Sequence, residues 1–71
     1  MSNDCLLLNK KLYSSEAINI TVRAFDNICD TIVNETEGYY SCSFKHFEVD
    51  RQLLMKEFEN YLIGISEKYG L

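Results

Sequence analysis

Residues 39–47 read YYSCSFKHF, and taking this run as a strand settles the architecture of the whole chain. Successive side chains of a strand point to opposite faces, so Tyr40, Cys42, Phe44 and His46 share one side while Tyr39, Ser41, Ser43, Lys45 and Phe47 share the other. An aromatic and thiol side opposite a hydroxyl-rich side is the pattern of a strand with one face on a core. Just before it, Thr31 to Asn34 is a β-branched stretch and residues 35–38, ETEG, read as a turn, which makes the two runs a hairpin. Gly38 offers that turn a residue able to take a positive φ.

Outward from the hairpin, each flank carries a helical pattern. Upstream, Ile18, Val22, Phe25 and Cys29 recur at spacings of four, three and four, an amphipathic stripe that predicts a helix from Ser14 to about Cys29 or Asp30. Ser14 suits the N-cap, Glu16 lies favourably against the helix dipole, and Tyr13 and Ile18 occupy the positions of a hydrophobic staple. Downstream, Asp50 suits the cap of a second helix whose stripe runs Leu54, Phe58, Tyr61 or Leu62, Ile65 and Tyr69, with Gly70 placed to end it. Near the N-terminus CLLL (5–8) is a continuous apolar run, predicted as a strand covered on both faces and ended by Lys10 and Lys11. The order β-α-β-β-α predicts an α+β fold: one domain over 1–71, a two-layer sandwich with a three-stranded sheet and two helices on one face.

A chain of 71 residues buries little core, and oligomerisation is the expected support. Leu53, Met55 and Ile63 lie off the stripe of the last helix, which at about 1.5 Å per residue spans about 30 Å and outruns three strands. With the doubly covered CLLL strand, this predicts a homodimer or a complex with another chain. Apolar residues make up 46% and proline is absent, which argues against disorder. The net charge of -4 is spread evenly and leaves no basic face for nucleic acid. No apolar run is long enough to span a bilayer and CLLL is too short for a signal peptide, so the expected location is the cytoplasm.

Three cysteines, Cys5, Cys29 and Cys42, are an odd number and read as reduced thiols. Cys42 and His46 look like a metal pair, yet four residues along a strand separate Cα atoms by about 13 Å, too far to share one zinc ion. His46 is expected to pack its ring on the core edge, and Cys29 and Cys42 to fill inward positions as small hydrophobes. Asp26 and Asp30 fall near the predicted end of the first helix as an exposed pair of like charges. Phosphate-loop, CxxC and GxSxG motifs are missing, so no metal, cofactor or catalytic residue is assigned. Tyr39, Ser41, Ser43 and Lys45 remain as a candidate partner-binding face, on an edge strand that accepts an added peptide strand through its backbone. The competing readings are a small thiol or metal enzyme using Cys29 or Cys42 with His46, and a purely structural oligomerisation module.

Two stretches also carry a family resemblance. LYSSEAI (12–18) and KEFENYLI (56–63) resemble the short HxsD proteins of the His-Xaa-Ser system, through Leu12, Tyr13, Ser14, Glu16, Ala17 and Ile18, then Glu57, Phe58, Asn60 and Leu62. The resemblance implies a context, an accessory of a peptide-modifying system encoded beside radical SAM enzymes and a His-Xaa-Ser repeat protein; the leading expectation for this chain is a non-enzyme whose partners are a peptide substrate or a radical SAM enzyme. Asn60 is the one matching residue a simple core does not request. Its expected role is a local amide bridge to the backbone, with partner recognition as the alternative.

Overall fold

A computed structural model describes residues 5–70. They form β1 (Cys5–Asn9), α1 (Ser15–Ala24), β2 (Asp30–Glu35), β3 (Tyr39–Lys45) and α2 (Arg51–Tyr69), the α+β order expected. The last strand in sequence is the middle one in space, since the sheet runs β1-β3-β2 with β3 antiparallel to both neighbours. Leu6 and Val33 therefore flank Cys42, and Leu8 and Glu35 flank Tyr40. β1 and β2 run parallel to each other without touching, and α1 is the crossover between them, a split β-α-β unit.

Both helices pack together and against one face of the sheet. The core gathers Leu8, Cys42 and Phe44 from the strands, Ala17, Ile18, Phe25 and Cys29 from α1 and the turn after it, and Leu54, Phe58 and Leu62 from α2. Phe58 is fully buried and its ring lies 5.3 Å from that of Phe25.

The caps are as the residues dictate. Ser14 Oγ accepts from the Ala17 N–H at 3.1 Å, Asp50 Oδ2 accepts from the Leu53 N–H at 3.1 Å, and Gly70 ends α2 in the left-handed conformation at φ 67°. Tyr13 is half-buried against the core that holds Ile18, consistent with the staple. Of the alternatives Tyr61 and Leu62, Leu62 takes the core position and Tyr61 lies edge-on to Phe25 at the surface.

Four expectations are corrected. α1 stops at Ala24 rather than near Cys29, because Phe25 leaves helical dihedrals and residues 25–28 turn. Phe25 and Cys29 still share a side, since the Cys29 N–H donates to the Phe25 carbonyl across the turn at 3.1 Å. The buried face of α1 is Ala17, Ile18 and Thr21, and Thr21 is tolerated there because its hydroxyl donates to the Ala17 carbonyl at 2.9 Å. β1 is covered on one face only: Leu8 is buried, but Leu7 is 64% exposed, because β1 is an edge strand whose other side faces away from the helices. Gly38 does not adopt a positive φ; Thr36 closes the hairpin by donating its N–H to the Tyr39 carbonyl at 2.8 Å, while the Gly38 carbonyl accepts from the Lys10 N–H at 3.0 Å.

Candidate functional site

β3 places Tyr39, Ser41, Ser43 and Lys45 on the sheet face away from the helices, where the sequence assigned them. It does not place them on an edge. With β1 bonded on one side and β2 on the other, β3 has no spare backbone to pair with an added strand; the outer edges belong to β1 and β2. What the open face presents is side chains. Register sets Leu7 beside Ser41 and Asn34, Cys5 beside Ser43 and Ile32, and Lys45 beside Asp30. Tyr39 and Ile32 are exposed together with Leu7, whereas Ser41 and Ser43 are half-buried, so apolar groups rim a hydroxyl strip. Ser43 Oγ lies 3.2 Å from Cys5 Sγ.

The strand breaks at His46, which takes a left-handed φ of 57°. This turn interrupts the alternation. His46 does not pack on the core edge; its side chain is 78% exposed and its Nδ1 lies 2.6 Å from Asp30 Oδ2. Phe47, assigned outward by strict alternation, packs against the core instead, with the Arg51 guanidinium 5.6 Å above its ring.

Two of the three thiols, Cys29 and Cys42, are buried, and Cys5 is exposed. Cys42 is fully buried, and burial, reinforced by nearby Cys5, pushes its thiol up to about 11, away from the thiolate that nucleophilic chemistry needs. Cys29 is buried with its Sγ 3.8 Å from the Phe25 carbonyl. His46 stands in solvent, paired with Asp30. Asp26 and Asp30 both lie beyond the end of α1, Asp26 in the turn and Asp30 opening β2. Among the described residues, no group of three or more His, Cys, Asp or Glu side chains is placed to hold a metal ion. No helix among them is long and apolar enough to cross a membrane.

Asn60 is exposed on α2, and its side chain makes no hydrogen bond among the described residues, so the expected backbone bridge is not formed. Glu16 is exposed in the first turn of α1.

Two grooves on the helix layer escaped the sequence reading. One, of about 220 Å³, lies between Phe25, Ile28, Val49, Leu53, Leu54 and Glu57. The other, of about 480 Å³, lies between Glu16, Ile20, Tyr61, Ile65 and Tyr69. The start of α1 thus neighbours the end of α2, so the helices run antiparallel. Phe25 from the first groove meets Tyr61 from the second edge-on at 5.8 Å. The visible signal was the off-stripe Leu53, but its partners Ile28 and Val49 come from separate loops. No family model matches the chain, and it matches no curated protein and no solved structure.

Proposed function

We propose that this protein is a non-enzymatic accessory, acting in the cytoplasm as a homodimer, that binds the peptide substrate or the radical SAM enzyme of a His-Xaa-Ser-type modification system. The observation that carries the interaction part is the uncovered apolar surface: Leu7, Ile32 and Tyr39 stand exposed on the open sheet face, with more apolar groups on the helix layer. The two sulfurs that a thiol enzyme would use are inward, and the histidine is outward. The system assignment is supported by the LYSSEAI and KEFENYLI resemblance alone. A second copy on the open sheet face would cover Leu7, Ile32 and Tyr39.

The test is titration of the isotopically labelled full chain with a His-Xaa-Ser repeat peptide and, separately, with the radical SAM enzyme. Amide shifts in β3 or α2 are expected, and their absence at high micromolar concentration overturns the reading. Sedimentation of the chain alone checks the dimer. A folded variant with all three cysteines replaced by serine should leave the modifying system active; loss of activity would favour thiol chemistry instead.

A further inference from the structure

The two grooves on the helix layer share a chemical character. Each is lined by apolar side chains and one charged residue, and in both that residue is a carboxylate, Glu57 in the smaller and Glu16 in the larger. The smaller is the better formed. Leu53 is 51% exposed and Ile28 and Val49 nearly as much, while Phe25 and Leu54 form a buried floor. Glu57 is the one charged side chain that lines this groove. The ion pairs among the described residues are Lys10–Glu35 and His46–Asp30, and neither uses Glu57. Arg51 and Lys56, the cations nearest along α2, do not line the groove. Arg51 precedes Leu53 by two residues, about 200° around the helix, and lies over Phe47.

We infer that the groove between Phe25, Ile28 and Leu53 is the docking site for a basic amphipathic segment of a partner protein, which seats an apolar side chain on the Phe25 and Leu54 floor and sets a lysine or arginine against Glu57. The inference rests on the interaction reading above and adds the place and the partner's chemistry. Charge selects the occupant. An apolar segment satisfies the floor, and beside exposed Glu57 a lysine or arginine adds a modest attraction where a carboxylate would add repulsion. A second copy is the poorer fit. A two-fold contact sets the same patch on both sides, which would bring Glu57 toward its own counterpart, and the copy carries the same net charge of -4.

The experiment uses the full chain and two synthetic amphipathic peptides, one of leucine and lysine and one of leucine and glutamate. Amide shifts are expected at 25–28 and 49–57 with the lysine peptide and not with the glutamate peptide. Leu53→Asp replaces an exposed side chain, so the fold survives, and it should weaken lysine-peptide binding about tenfold even though it adds negative charge. Glu57→Gln should weaken it about threefold to tenfold. Equal or tighter binding by Leu53→Asp reduces the effect to non-specific attraction and overturns the site. So do shifts confined to β3, or a dimer that Leu53→Asp dissociates. The radical SAM enzyme and repeat peptide separate the two readings. If they bind both variants as tightly as the unaltered chain, the groove assignment fails and the accessory reading stands; if they bind nothing while the lysine peptide fills the groove, the reverse holds.

Discussion

The ring of Phe58 meets that of Phe44 edge-on, with 5.0 Å between centroids and 69° between planes, and this contact ties the middle of α2 to the central strand. Phe58 also touches Phe25, so one side chain joins the sheet, the second helix and the turn after the first. Truncating such a residue typically costs about 3–5 kcal/mol. A domain of this length has only about 4–11 kcal/mol in total. Phe58→Ala is therefore expected to lose most of its cooperative thermal transition, while Phe58→Leu keeps the fold at a cost of about 1–2 kcal/mol. Circular dichroism melting checks both, and an unchanged midpoint for Phe58→Ala would refute the packing.

The two N-caps should be individually measurable. Ser14→Ala and Asp50→Ala each remove an acceptor from the first turn of a helix, and each should cost about 1 kcal/mol in urea unfolding. The sites share no partner, so the double variant should show the sum. Ser14→Asp restores an acceptor and should recover most of the loss.

Cys42 gives a pH dependence with a definite sign. Its ionisation lies at about 11 when folded, against 9.0 ordinarily, so the folded chain keeps a proton that the unfolded chain gives up. The stabilising contribution is full below pH 9 and is lost as pH rises through about 11. Urea midpoints of the unaltered chain should fall across that interval more steeply than those of Cys42→Ala, the difference removing the titration of other groups. At pH 8 a thiol reagent should label exposed Cys5 quickly and Cys42 only on unfolding.

His46 stands where glycine is usually preferred. A left-handed backbone costs a residue with a Cβ about 1–2 kcal/mol, and the exposed pair with Asp30 returns less than about 1 kcal/mol. His46→Gly should be as stable as the unaltered chain or slightly more so, and His46→Val should be less stable by about 1–2 kcal/mol. A loss above about 2 kcal/mol for His46→Gly would show that the imidazole does more than pair with Asp30.

The parts that the sequence disclosed are those governed by neighbours in the chain. Ser14, Asp50 and Gly70 cap by rules spanning three or four residues, and the Leu54, Phe58, Leu62 stripe follows from the helical repeat alone. The early end of α1 was hidden because Phe25 and Cys29 keep a four-residue spacing across a turn as they would along a helix. Thr21 was passed over as polar, since its bond to the Ala17 carbonyl is not visible in composition. Strand order could not be read, because pairing of Cys5 with Ser43 is fixed by tertiary packing and not by either segment's own pattern. The groove was hidden for the same reason: Ile28, Val49 and Leu53 belong to two loops and a helix, and each alone looks like an ordinary exposed aliphatic residue.

The placement of β3 between its neighbours has a temporal side. β1 has no partner until the chain has grown to Tyr39 and is fully paired only at Ser43, whereas β2 needs only the turn at 36–38 to find its own. Closing the longer loop costs more entropy, so the hairpin and the helix that follows it should assemble first and receive β1 afterwards. Residues 5–9 are in that sense a late and separable part of the sheet. A chain lacking them should leave a vacant slot beside β3, and a short peptide of the same sequence, added in solution, should fill it.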